Sequence, residues 1–318
     1  FWIENWYPAQ LESDLEPHGI IYAVDGIPGR EPRAFYNPEA KTGILVNTDN
    51  YGPLRSLALG LVMDISSRLF QVHAVRGMSA DINGSGVLLI GPKGTKKTEL
   101  FFSLFNEDQI RLHSNDLVFI RMSGRSVLAD SPERKFYLPT NTADYYPGLA
   151  SLFDGSKCEN IILKKEDCKN NTCLQMDDCR LDRGSPFCYT AAKNSFAMLD
   201  PYWINGSAKH VKRSEIRWIF ILRNDKVSPP MVKMDIDDAL RILESGESFG
   251  AKHDPISFGS QPFYNPHLLM KTPEYLEIQR SFFRRLLENT NCYLFNSGIA
   301  TSEDIKKIVL ETEDKLSS

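Results

Sequence analysis

Residues 91–98 have the types and spacing of a phosphate-binding loop. They read G-P-K-G-T-K-K-T and match G-x-x-x-x-G-K-[ST], except that Lys96 stands where the pattern has its second glycine. In such a loop backbone N–H groups point at phosphate oxygens, a lysine reaches the outer phosphates and a hydroxyl helps to hold Mg²⁺. The pattern predicts that the phosphate-binding residues are Gly91, Pro92, Lys93, Gly94, Thr95, Lys96, Lys97 and Thr98. A strand-turn-helix with an ordinary basic loop is the alternative reading.

Lys96 bears directly on the backbone of this loop. Glycine is used where a positive φ or a close ligand approach is needed, so a lysine there should carry a steric cost. Its positive charge could in turn add attraction for phosphate. Lys97 takes the place of the catalytic lysine, and Thr98 the place of the hydroxyl that ligates the metal.

Asp116 is the second candidate metal ligand. It stands with Asn115 at the start of an apolar segment, L-V-F-I-R at 117–121, which follows the loop and its helix. In nucleotide-binding α/β folds a carboxylate at a strand end near the phosphate loop commonly holds Mg²⁺, directly or through water. An Asn-Asp turn with no metal is the competing interpretation.

The elements that must position these residues follow from apolar periodicity and end signals. Strands are predicted at 43–46, 87–90, 117–121, 216–222 and 292–295. Helices are predicted at 54–69, 97–105, 237–245, 273–289 and 302–316. This alternation indicates an α/β domain with the loop at a strand end.

Four segments together resemble a known group of proteins. They are M-S-A-D-I-N-G-S-G-V-L-L-I-G-P-K-G-T-K-K-T-E (78–99), R-L-H-S-N-D-L-V-F-I (111–120), the strand and double proline at 216–234, and F-Y-N-P-H through F-N-S-G at 263–298. Their order is similar to the core of the ATP-dependent phosphoenolpyruvate carboxykinases and of the HPr kinase/phosphorylase group. The resemblance implies a carboxykinase-like mixed β-sheet, ATP as the nucleotide, and Mg²⁺ or Mn²⁺ as the metal.

Three positions depart from what the resemblance implies. The paired acidic motif begins here with neutral Asn115, the metal-binding histidine falls at Gly77, and a lysine of the metal site falls near Arg55. Arginine stays protonated and does not ligate a metal. His73 then becomes the candidate general base, although a hydrogen-bonded structural histidine is the other reading. Arg183 lies near the position of a phosphate-contacting arginine in the carboxykinases.

The resemblance and the chain length suggest a domain organisation and a reaction. Residues 1–50 are predicted to be an extension packed on the core, and residues 51–318 the carboxykinase-like domain, with a cysteine-rich insertion at about 155–190. The predicted function is ATP-dependent phosphoryl transfer to a hydroxyl of a small metabolite or a protein serine. Two alternatives stay open: a carboxykinase-type lyase acting on oxaloacetate, and a nucleotide-binding regulatory protein without turnover.

Composition limits the partners. The net charge is −4, and no basic excess indicates nucleic acid. No apolar run approaches the ~20 residues that span a bilayer, so we expect a cytoplasmic protein that binds a nucleotide and a phosphoryl acceptor but neither nucleic acid nor membrane. Five of the six cysteines lie between 158 and 188 without a C-x2-C pair, which leaves free thiols, disulfides and a metal site open.

Overall fold

The computed structural model describes residues 1–7, 16–104, 109–169, 173, 178–189, 194–246 and 261–317. Its strands are β1 (Ile20–Val24), β2 (Arg33–Asn37), β3 (Thr42–Val46), β4 (Val72–Arg76), β5 (Met78–Ile82), β6 (Ser85–Ile90), β7 (Ile110–Ser114), β8 (Leu117–Ser123), β9 (Ser126–Asp130), β10 (Phe136–Pro139), β11 (Lys157–Glu159), β12 (Phe196–Leu199), β13 (Arg213–Arg223), β14 (Met231–Lys233) and β15 (Asn291–Asn296). Its α-helices are α1 (Trp2–Asn5), α2 (Tyr51–Phe70), α3 (Lys97–Ser103), α4 (Ala150–Asp154), α5 (Ile236–Ser245), α6 (Pro273–Glu288) and α7 (Ser302–Ser317).

The chain divides into two compact units. The smaller unit holds residues 1–8 and 133–207, and the larger holds residues 9–132 and 208–318. The segment predicted as an insertion at about 155–190 lies in the smaller unit, where β12 pairs antiparallel with both β10 and β11. All six cysteines are free thiols. The division into residues 1–50 and 51–318 stays a prediction.

A mixed sheet of nine strands forms the centre of the larger unit. Its order is β4-β8-β9-β13-β6-β5-β7, and β15 with its neighbour β14 adds to β13. Strand β13 joins two kinds of pairing: Arg213–Glu215 run antiparallel to β9, while the following residues run parallel to β6 and to β15. The apolar part of β13, which reads I-R-W-I-F-I-L at 216–222, therefore lies in the middle of the sheet. Its neighbour β6 leads into the loop at 91–98.

Helices cover this sheet with apolar side chains. Buried residues of α5 and α6, including Leu240, Leu243, Phe283 and Leu286, pack with Leu88, Ile120 and Ile219 of the sheet. Helix α2 contacts β4 and a separate three-stranded sheet in which β3 lies between β1 and β2. No helix in the described part of the chain is both long enough and apolar enough to span a bilayer.

The structure confirms the predicted α/β class at the level of a mixed sheet covered by helices. Each of the five predicted strands and five predicted helices corresponds to an observed element, although position 105 of the third helix prediction lies outside the described residues. Several further strands were not predicted. Among them, β5 and β7 carry Asp81, Arg111 and His113. Such polar side chains interrupt the apolar pattern from which a buried strand is predicted.

A buried carboxylate ties α2 to the smaller sheet of this unit. Asp64 is 1% exposed and accepts hydrogen bonds from the Tyr36 hydroxyl and from Arg68, whose Nε lies 2.8 Å from Oδ1. Arg68 Nη2 also donates to the carbonyl of Pro38 at 3.0 Å. Since one carboxylate accepts from both side chains, its removal would leave the Tyr36 hydroxyl and Arg68 Nε without this acceptor, while Arg68 Nη2 would keep its bond to Pro38.

We therefore expect Asp64→Ala to lower the free energy of unfolding by about 2–3 kcal/mol, the cost of leaving partly buried charged and polar donors unmatched. Urea denaturation would measure it, with Glu39→Ala as an exposed-carboxylate control expected to change little. A loss under ~0.5 kcal/mol would contradict the structural role of Asp64.

Candidate phosphate-binding site

The loop at 91–96 connects the buried strand β6 to helix α3. Gly94 has φ +90°, and Lys96 has φ 52°, which is the left-handed conformation expected for a glycine position. Lys96 thus keeps the backbone geometry that the motif requires, at a cost of about 1 kcal/mol relative to glycine. The backbone retains a glycine-type turn although the side chain has changed.

Hydrogen bonds to its carbonyls hold this loop, one from within the loop and two from neighbouring segments. Thr95 is buried, and its hydroxyl donates to Pro92 O at 2.8 Å. Ser297 Oγ donates to Thr95 O at 2.8 Å, and Asn224 Nδ2 donates to Gly94 O at 3.0 Å. The segments that follow β13 and β15 thereby hold the loop in place through its carbonyls.

Lys97 begins α3 and turns back over the loop. Its Nζ donates to the carbonyl of Gly91 at 3.1 Å. Burial lowers the pKa of the Lys97 ammonium to about 7; nearby Arg76 lowers it further, while Asp116 acts in the opposite direction. In this arrangement the negative charge near the Lys97 ammonium does not offset its burial and the positive charge of Arg76.

Asp116 lies in the turn between β7 and β8 and is paired with two arginines. Arg55 Nη2 is 2.8 Å from Oδ2, and Arg76 Nε is 3.2 Å from Oδ1. Burial alone would raise the pKa of this carboxyl, but Arg76 and Arg55 hold it well below its usual range. The group is therefore a carboxylate at neutral pH, and each of its oxygens already accepts from a guanidinium.

His267 and Ser56 complete this cluster. Ser56 Oγ lies 2.8 Å from Nδ1 of His267, and Nε2 of the same ring lies 3.6 Å from Asp116 Oδ2. Nε2 is buried without a hydrogen-bond partner. Arg76 Nη1 also reaches the carbonyl of Tyr264 at 3.5 Å, so the segment at 264–267 borders the same charges.

The structure brings together some of the predicted site residues. Lys97 and Asp116 lie close enough to influence each other's charge, and Thr98 stands half-buried in the first turn of α3. Gly77, where the resemblance implies a histidine, has no room for a side chain: a Cβ there would lie 2.7 Å from Leu89 O. A histidine at this position does not fit the backbone.

His73 and Arg183 have other surroundings. His73 stacks on Phe282 at 4.4 Å between ring centroids, and burial lowers its pKa to about 4, with a smaller contribution from Arg285. Alternation along β4 puts it on the face opposite to Arg76. Arg183 is an exposed residue of the smaller unit and pairs with Asp178. Their assignments as base and as phosphate contact stay predictions.

Several residues that the structure places at the site are not among the predicted site residues: Ser56, Arg76, Asn224, His267 and Ser297. Arg55 enters the sequence analysis only as the position near which the resemblance implies a lysine. The signal for His267 and Ser297 was present, since F-Y-N-P-H and F-N-S-G both belong to the resemblance. Nothing in their spacing indicated which loop each would contact.

One of the two predicted Mg²⁺ ligands, Asp116, is already engaged by other side chains. Mg²⁺ requires free oxygen ligands in octahedral geometry, and both oxygens of Asp116 accept from arginines. Within the described residues no group of three or more His, Cys, Asp or Glu side chains could hold a metal ion. The Thr98 and Asp116 metal site stays a prediction, and no chemical step below depends on it.

Comparison with solved structures finds similar chains, and one of them shows how distant such a likeness is. The HPr(Ser) kinase/phosphatase from Coxiella burnetii is similar in structure over 51% of this chain and 77% of its own, with 12% identical residues and a TM-score of 0.26. Comparison with protein-family models gives no match. Comparison with curated proteins also gives none.

Lys97 should reduce the stability of the free protein. We expect Lys97→Met to raise the free energy of unfolding by about 1–2 kcal/mol, as substitutions that relieve a strained functional site do. The gain should be full below pH 7, where the folded lysine is charged. It should shrink from pH 7 towards 10.5, because over that range only the unfolded lysine carries the proton.

Denaturant unfolding at pH 6, 8 and 10 would measure this gain, with Lys233→Met on the exposed edge strand β14 as the matched control. A Lys97→Met protein less stable than its parent at pH 6 would contradict an uncompensated charge.

Proposed function

We propose that residues 91–98 bind the phosphate groups of ATP, and that the protein is a phosphotransferase which moves the terminal phosphoryl group to a hydroxyl. The acceptor would be a small metabolite or a protein serine. One observation carries the proposal: three cationic side chains, Arg55, Arg76 and Lys97, cluster around a single carboxylate, Asp116.

The charge count favours an anionic ligand. Arg55, Arg76 and Lys97, whose pKa of about 7 leaves it about half protonated at neutral pH, exceed the single charge of Asp116 by about one to two, which is close to the charge of a terminal phosphate group. At an effective dielectric of ~20, an opposite charge ~4 Å away contributes about 4 kcal/mol before desolvation is subtracted. A bound phosphate would therefore stabilise a cluster that Asp116 alone neutralises only in part.

The same groups suit phosphoryl transfer. Transfer of a phosphoryl group depends on positioning and on stabilising charge that spreads over its equatorial oxygens. Guanidinium groups present donors in a fork that matches phosphate oxygens, and Lys97 can leave the Gly91 carbonyl to reach them. In this proposal Arg55, Arg76 and Lys97 supply the positive charge within the site.

A second candidate is a nucleotide-binding regulatory protein without turnover. It is favoured by Asn115, which is neutral and cannot act as a base, and by the engagement of both Asp116 oxygens. The two candidates share the binding step and differ in whether the terminal phosphate is ever transferred.

Calorimetric titration of ATP would test the shared step. We expect saturable binding to the parent in MgCl₂ and also in EDTA, because side-chain cations hold the phosphates. Lys97→Ala should weaken binding at least tenfold, about 1.4 kcal/mol. Lys233→Ala removes one exposed positive charge from β14 and should bind as the parent does.

Circular dichroism would verify that each variant is folded before titration. A folded parent that shows no saturable binding, or a Lys97→Ala protein that binds as tightly as the parent, would refute the proposed site.

A further inference from the structure

Ser56 is hydrogen-bonded to His267, and the other side of the imidazole faces Asp116, next to the cationic cluster. Ser56 lies in the second turn of α2 and is half-buried. Ser56 Oγ lies 2.8 Å from Nδ1, and the serine donates to the ring in the tautomer whose proton is on Nε2, the nitrogen that faces Asp116 Oδ2 at 3.6 Å. A serine activated by a histidine that a carboxylate orients is the general arrangement of nucleophilic catalysis.

Packing holds the histidine over the serine. Gly60 lies one helical turn after Ser56, and a Cβ there would come within 2.5 Å of His267 O, so the backbone at 267 rests directly on α2. Asn265 Oδ1 accepts from His267 N at 3.0 Å, and Asn265 Nδ2 contacts Met63 Sδ of the same helix at 3.7 Å. Contacts of the backbone at residue 267 therefore help to position the His267 imidazole.

The backbone before His267 is strained. Phe263 and Tyr264 are large buried residues with φ of 55° and 53°. Such conformations are unfavourable for large residues and persist where the surrounding structure compensates, which is common at functional sites. Here the strained turn directs the Tyr264 carbonyl to Arg76 and presents His267 to Ser56.

Cations flank the serine. Arg55 is the residue before Ser56 and pairs with Asp116, which Arg76 contacts from the other side. Lys97 lies near enough to this carboxylate for the two charges to interact. A phosphoryl group entering between the loop and Asp116 would thus meet both positive charge and a hydroxyl with an adjacent base.

We propose that Ser56 is the first acceptor of the phosphoryl group of ATP, with His267 as its general base. This inference rests on the proposed nucleotide binding and names the acceptor. The bond between Ser56 Oγ and the γ-phosphorus forms while the bond from that phosphorus to the β,γ-bridging oxygen breaks. The serine proton passes to Nδ1 of His267, and ADP leaves with the bonding electron pair. Asp116 faces the imidazolium that results.

Mass spectrometry after incubation with ATP tests the proposal. The intact parent, in separate reactions with MgCl₂ and with EDTA, should gain up to one phosphoryl group per chain, located on Ser56 by peptide fragmentation. Ser56→Ala should gain none. Ser103→Ala removes an exposed serine at the end of α3 and should be labelled as the parent is.

His267→Gln separates base from structure. Glutamine can keep a hydrogen bond to Ser56 but cannot accept its proton, so labelling should slow at least ~100-fold while ATP binding by calorimetry is retained. Labelling of this variant at the parental rate would overturn the role of His267.

The possible failures are distinguishable. If the folded parent binds ATP but Ser56 stays unmodified, the acceptor assignment is wrong and the proposed binding function stands. If the parent does not bind ATP, the proposed function fails together with this inference. Both results come from the parent protein, so neither depends on whether a variant folds.

Discussion

The ion pairs of Asp116 with Arg55 and Arg76 hold together elements of the candidate site that lie far apart in the sequence. One carboxylate joins helix α2, the end of strand β4 and the turn before β8, and it faces His267 from the segment before α6. Breaking a buried pair of this kind is costly because the remaining charges lose their partners. The cluster therefore fixes the relative positions of elements that lie far apart in the sequence.

The same ion pairs determine which chemistry the site can perform. Because both oxygens of Asp116 are engaged, the carboxylate serves as a counter-ion to the arginines in this structure. It nevertheless neutralises only part of the surrounding positive charge, and Lys97 shows the consequence in a pKa lowered to about 7 by burial and by Arg76. An anionic ligand would remove this imbalance.

The local parts of the site could be predicted from the sequence, whereas its pairings could not. The strand, turn and helix around residues 91–98 follow from short-range patterns, and the glycine-type conformation of Lys96 follows from the motif. The pairing of Arg55 with Asp116 spans 61 residues, and that of Ser56 with His267 spans 211. Such contacts depend on how α2 packs on the sheet, which residue spacing does not encode.

His73 shows a similar limit of prediction from the sequence. Its residue type and its strand context both suited a general base, but the pleat of β4 turns it towards Phe282 and away from the face that carries Arg76. A shift of one residue along a strand reverses the face, so a histidine can be predicted near a site in sequence and lie on the opposite side of the sheet.

The most direct test is an NMR titration of the Lys97 side-chain amine, assigned by comparison with Lys97→Met and recorded with and without ATP. The account predicts a pKa near 7 in the free protein and a clear rise when ATP is bound, because phosphate supplies the missing negative charge. A pKa at the usual lysine value in the free protein, or one that ATP leaves unchanged, would contradict it.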